Sequence, residues 1–171
     1  MTLNPLTIIT AADIMTSRLI TLRPEMTCQD AMQVLMNNHI SGAPVVNTLD
    51  ELVGVVSLKD LLANSEYQLP TPTYYEELYL DDILSEEEFE LVNLNSGTVA
   101  EIMTTTVVTV NATTTVECVA QALYTQKVHR VIVVNNDQPV GIISTFDVLK
   151  AIAGGSVTST HPTKVPAGLG V

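Results

Sequence analysis

The sequence predicts an α+β protein, α/β-like in its alternation of strands and helices. It should hold two copies of one unit, each a three-stranded sheet with two helices, packed on one another with pseudo-two-fold symmetry. Three observations lead there. Residues 12–62 and 100–149 match at an offset of 88, which becomes 87 after one deleted loop residue. Within each copy, short continuous apolar runs suited to strands alternate with i, i+3, i+4, i+7 spacing suited to helices. A unit of about 50 residues cannot bury both faces of its sheet alone, so the copies must cover each other.

The elements follow in order. Ala12-Asp13-Ile14-Met15-Thr16 opens the first copy, and Ala100-Glu101-Ile102-Met103-Thr104 opens the second. Residues 19–22 read as a short strand. Thr27 can cap a helix whose Asp30 completes a capping-box-like pair. That helix turns Cys28, Ala31, Met32 and Leu35 inward, and Val116, Val119, Ala120 and Leu123 hold the same places in the second copy. Residues 43–47 and 52–56 are apolar runs parted by Thr48, Asp50 and Glu51, which makes a hairpin; the second hairpin turns at residues 135–139. A helix then starts near Leu58 or Thr145. The expected organisation is a first repeat at 10–63, an insert at 64–97, a second repeat at 98–152 and a flexible tail at 153–171.

The insert is acidic and aromatic. Of 19 Asp and Glu in the 171-residue chain, nine lie between Ser65 and Ser96, where there is no Lys or Arg; five of the seven Phe and Tyr lie there too. Ring burial can offset ordering entropy, so a partly helical insert is expected, with Tyr75, Leu78, Tyr79 and Ile83 on one helix face. The net charge of −12 excludes phosphate-dominated contact with nucleic acid and binding to an anionic membrane surface. There is no run of about 18 apolar residues and no basic, apolar leader, so the expected location is cytoplasmic, without membrane association. Cys28 and Cys118 fit no metal spacing and no redox pair; both read as thiols on buried helix stripes.

Recurrent polar residues fall at strand ends and helix starts, where sheet proteins generally bind ligands. Ser57 with Asp60 and Ser144 with Asp147 put a hydroxyl and a carboxylate on one edge. Such a carboxylate could accept two ribose hydroxyls, and equally the pair could be a plain helix cap. The loop after the first helix reads Ile40-Ser41-Gly42-Ala43-Pro44 in one copy and Val128-His129-Arg130-Val131-Ile132 in the other. Gly and small residues allow approach of a flat ring, with Ile40 or Val128 as an apolar wall. Arg130 could hold phosphate oxygens, or could form a surface ion pair with part of the acidic excess. His39 at a helix end and His161 in the tail look ordinary.

These motifs resemble a tandem cystathionine-β-synthase (CBS) domain pair, or Bateman module. The resemblance rests on two G-h-h-S-x-x-D segments, Gly54 to Asp60 and Gly141 to Asp147, two D/E-I-M-T starts, and H-I-S-G-A-P-V-V with H-R-V-I-V-V in place. It implies adenosine ligands in two clefts between the repeats. One cleft would use Thr16, Ile20, Ile40, Ser41, Gly42, Ala43 and Pro44 with Ser144 and Asp147. The other would use Thr104, Val108, Val128, His129, Arg130 and Val131 with Ser57 and Asp60. Asp would hold the ribose, apolar residues would flank adenine, and Arg130 with His129 would meet phosphate. Lys59 could add a phosphate contact or point to solvent.

The expected function is therefore a free-standing, non-catalytic sensor of cellular energy state. Its regulatory ligand would be AMP, ADP or ATP, with Mg2+ as an optional companion and no required cofactor. The resemblance extends to single-module proteins of plants and cyanobacteria and implies a homodimer. The rival reading is a protein-interaction regulator, for example of redox or carbon metabolism, with vestigial clefts and a protein target docked through residues 64–97. Catalysis is the weakest option, because no nucleophile, base and orienting group can be assembled.

Overall fold

The computed structural model describes residues 8–64 and 96–154. The expected insert helix, His161 and nearly all of the tail lie outside the described residues. In the first copy, α1 (Ala11–Ile14) is followed by α2 (Cys28–Asn37), β1 (Gly42–Val46), β2 (Leu52–Ser57) and α3 (Leu58–Ala63). In the second, α4 (Val99–Ile102) precedes β3 (Thr109–Asn111), α5 (Val116–Gln126), β4 (Arg130–Asn135), β5 (Gln138–Ser144) and α6 (Thr145–Ile152). The α+β class and the duplicated unit stand.

Local chemistry sets these boundaries. Thr27 and Thr115 cap α2 and α5 by accepting the N–H groups of Asp30 and Cys118. Cys28, Ala31, Met32 and Leu35 are buried as the periodicity requires, and so are Val116, Val119 and Leu123; Ala120 is half-buried. Cys118 is exposed, which corrects its assignment to a buried stripe. It stands two residues past Val116, about 200° around the helix, and so faces away from the core.

The first copy departs from the expected three-stranded sheet. Its sheet has two strands, β1 and β2, whereas β3, β4 and β5 form a three-stranded sheet in the second copy. Residues 19–22 do not form a strand; what remains is a single parallel bridge from Leu22 to Val45. Proline explains the difference. In the second copy Ile132 N–H donates to Val108 O at 3.2 Å, but Pro44 stands where Ile132 stands and has no N–H for Ile20 O.

The copies exchange their opening segments. Ala11 and Ile14 of α1 are buried in the second core with Val119, Val133 and Ile143, and Val99 of α4 is buried in the first core with Leu22, Met32 and Leu61. Backbone hydrogen bonds repeat with the symmetry. Ala11 N–H donates to Thr114 O (2.7 Å) and Ala12 N–H to Ala112 O (2.9 Å); Val99 N–H donates to Met26 O and Ala100 N–H to Pro24 O, both at 2.9 Å. Each short arm is held by a capping box, Thr10 with Asp13 and Thr98 with Glu101. Hydrogen bonds from the Thr10 backbone and then its hydroxyl hold the Asp13 carboxyl below its ordinary value.

Candidate functional site

The seam between the copies is built from the exchanged arms. Thr16 and Ile142 donate to each other's carbonyl oxygens at 2.9 and 3.0 Å, and Thr104 and Val55 do the same at 2.9 and 3.0 Å. Thr16 therefore lies two residues along the ladder from Ser144, and Thr104 two residues from Ser57. At both places a strand of one copy ends beside the motif threonine of the other.

Ser57 and Asp60 are half-buried where β2 passes into α3. Ser57 N–H and Oγ donate to Asp60 Oδ2 at 2.8 and 2.6 Å, and Asp60 N–H donates to Ser57 Oγ at 3.3 Å. Ser144 and Asp147 repeat this between β5 and α6 at 2.7, 2.6 and 3.3 Å. The helix-cap reading is thus realised twice. It uses only half of each carboxylate: among the described residues, the hydrogen bonds of Asp60 and Asp147 run through Oδ2, leaving Oδ1 outside the cap.

The loop residues sort by copy. Ser41 O accepts Leu58 N–H at 2.9 Å and Gly42 pairs with Ser57; His129 O accepts Thr145 N–H at 3.0 Å and Arg130 pairs with Ser144. Residues 40–42 therefore meet Ser57, and residues 128–130 meet Ser144, within their own copies. Among the described residues no hydrogen bond joins residues 40–44 to Ser144 or Asp147, or residues 128–131 to Ser57 or Asp60, the groups expected to share a ligand across the copies. Gly42 is small for a nearer reason than a ligand ring, since a Cβ there would sit 2.9 Å from Val56 O. Ala43 and Val131 are buried in the two cores, and Pro44 is buried as well.

The rest remain nearer the surface. Ile40 packs on the first core, Val108 and Val128 pack on the second, and all three are half-buried, as is Ile20. Ser41 is buried, and its Oγ has no hydrogen-bond partner among the described residues. His129, Arg130 and Lys59 are exposed, and Arg130 makes no ion pair among the described residues. Cys28 is buried beside Asn64, and burial pushes its thiol up from the ordinary range.

A separate cavity of about 400 Å3 lies on the hairpin side of the Val55–Thr104 bridge, lined by Glu51, Leu52, Val53, Thr105, Val107, Thr109, Val134 and Asp137. It contains none of the residues expected at a site, and its carboxylates suit no phosphate. Its signals in the sequence are mismatches between repeats, with Asn111 standing where Arg23 stands and Gln138 where Glu51 stands. Among the described residues no three His, Cys, Asp or Glu side chains converge to hold a metal, and no helix is long and apolar enough to cross a membrane.

A CBS domain model matches residues 11–67 and again residues 99–154. The chain belongs to the CBS domain family. This CBS pair is 30% identical to the uncharacterized protein MJ1426 of Methanocaldococcus jannaschii over 133 residues, which are 72% of this chain and 79% of that one. It is 32% identical to the chloroplastic CBS domain-containing protein CBSX2 of Arabidopsis thaliana over 154 residues, 83% of this chain and 63% of the relative. The crystal structure of CBSX2 in complex with AMP matches with a TM-score of 0.64 at 28% identity, covering 85% of this chain and 97% of that one. Across the curated relatives it matches, the CBS pair spans between 38% and 79% of their length. CBS pairs are regulatory modules, and these likenesses point to no enzyme family.

Proposed function

We propose that this CBS pair is a non-catalytic regulatory module that binds an adenine nucleotide (AMP, ADP or ATP) at the seam between its repeats and so senses cellular energy state. The observation that carries the reading is the pairing of both copies at each seam, Thr104 with Val55 two residues before Ser57, and Thr16 with Ile142 two residues before Ser144. An ionised carboxylate has acceptor sites on both oxygens. While Oδ2 caps the helix, Oδ1 can accept from the vicinal hydroxyls of a ribose. The AMP complex of CBSX2 supports the same ligand class.

The seams differ in what they offer a phosphate. Arg130, exposed and unpaired among the described residues, presents a guanidinium fork next to Ser144. Gly42 holds the equivalent place beside Ser57 and presents none. The Arg130 side is therefore the one that takes the phosphate, with Mg2+ as a companion of di- and triphosphates. The buried Ser41 hydroxyl is a further unused donor for a ligand. A ligand touching both copies favours the packed seam over any loosened arrangement, and this differential affinity is what makes binding a signal.

Thermal shift against AMP, ADP, ATP and S-adenosylmethionine tests the reading. A nucleotide at 100 times its Kd stabilises the fold by about 2.7 kcal/mol. Asp60→Asn with Asp147→Asn keeps a helix-capping side chain in place and removes the charge facing the ribose, so the shift with nucleotide is expected to vanish while the ligand-free Tm changes little. A flat response of the unaltered chain to all four ligands would sink the proposal.

A further inference from the structure

The repeats put different chemistry at equivalent points of their hairpins. In the first copy Arg23 lies against the turn between β1 and β2. Its Nη2 donates to Asp50 Oδ1 at 2.8 Å, and its Nη1 donates to the carbonyl oxygens of Val46, at 3.4 Å, and Asn47. In the second copy Val134, Asn135 and Asp137 stand where Val46, Asn47 and Asp50 stand. Val46 pairs with Leu52 as Val134 pairs with Pro139, and Asp50 and Asp137 share left-handed φ values of 60° and 64°. The cation is not repeated, because the counterpart of Arg23 is Asn111. Among the described residues the Asp137 carboxylate has neither a hydrogen bond nor an ion pair.

Beside this turn lies the cavity of about 400 Å3, and a second carboxylate enters it. Glu51 lines it where the other hairpin carries the neutral Gln138. Glu51 Oε2 accepts from Asn47 Nδ2 at 2.7 Å, and among the described residues its other oxygen has no hydrogen bond. We infer that this cavity binds the guanidinium or alkylammonium group of an organic cation, in the position that the Arg23 side chain takes in the first copy. Carboxylate and carbonyl oxygens only accept hydrogen bonds, so the occupant must be rich in donors. Two carboxylates without an ion pair among the described residues favour a positive group, and Leu52, Val53 and Val107 suit the methylenes that carry it. Among the described residues a bare metal ion finds no three converging His, Cys, Asp or Glu ligands. None of these residues belongs to the Ser and Asp pairs of the seam, so the inference is independent of the nucleotide reading.

The cation can be a free small molecule or an arginine of another protein, and calorimetric titration of the full chain separates them. The two probes are n-propylguanidine and a capped tripeptide with a central arginine, with n-propanol as the uncharged control. Saturable binding of both guanidines is expected, with Kd on the order of 1 mM or tighter and no binding of propanol. Glu51→Gln with Asp137→Asn weakens binding about fivefold, the factor for a partly exposed ion pair. Asn111→Arg restores the internal cation, abolishes guanidine binding and leaves the thermal shift with AMP unchanged. Saturation by the tripeptide alone assigns the cavity to protein arginine, and saturation by propylguanidine alone assigns it to a free metabolite. The inference is overturned if neither probe saturates by about 10 mM, or if Asn111→Arg and the double variant bind as the unaltered chain does.

Discussion

A Cβ added at Gly54 would lie 2.7 Å from Met103 Sδ and 3.1 Å from Thr104 O; at Gly141 it would lie 2.8 Å from Met15 Cγ and also meet Met15 Sδ. The glycine of each G-h-h-S-x-x-D segment is thus pressed by the methionine of the other copy's I-M-T segment. These two motifs recur together because they are one joint, read from its two sides. Gly141→Val should cost about 1–3 kcal/mol by overpacking that joint. Differential scanning calorimetry would register it as a Tm several degrees lower, and an unchanged Tm would show that Met15 moves aside freely. At this scale the sequence revealed which residues recur but not why. Ser57 with Asp60 was legible both as a cap and as a ribose acceptor, and one carboxylate has an oxygen for each. Cys118 was misread because its spacing from Val116 was not followed around the helix. Arg23 carried no motif, and only its mismatch with Asn111 could have flagged it.

Among the elements, α2 and α5 were legible, because the four-residue apolar stripe recurs at the same places in both copies and a threonine cap marks the start of α2. The strand expected at 19–22 was not, since its partner's ability to donate depends on a proline 22 residues beyond it, in another element. A second asymmetry concerns α6. Phe146, Leu149 and Ile152 follow one another at three-residue steps and are 65%, 58% and 72% exposed, and Tyr124 on the neighbouring α5 is 83% exposed. In the first copy Lys59 and the buried Leu62 stand where Phe146 and Leu149 stand. Apolar residues this exposed on one copy support the homodimer proposed from the family likeness, assembled through α5 and α6. Sedimentation equilibrium should show a dimer, and Leu149→Lys with Phe146→Lys should convert it to monomer with the fold retained by circular dichroism. A monomer in the unaltered chain would remove that proposal.

For the whole molecule, the exchange of α1 and α4 makes each core depend on both copies. Val99 closes the first core and Ala11 with Ile14 closes the second, so neither can be lost while the other stays intact. Heating should therefore give one transition, with calorimetric and van't Hoff enthalpies that agree. Two resolved transitions would mean that the arms contribute little. The pseudo-symmetry behind this was legible from the 88-residue offset, whereas the exchange was not, because a repeat in sequence does not say which copy its opening residues join.

That exchange also orders events during synthesis. The first core draws its other members from residues 22–62, yet stays open until Val99 has left the ribosome. Ala11 and Ile14 emerge before every other member of the second core and must wait for partners as late as Ala151. Ala11 and Ile14 thus stay uncovered until the second copy has been made, and Asp13, the exposed carboxylate between them, is the charge that accompanies them through the wait.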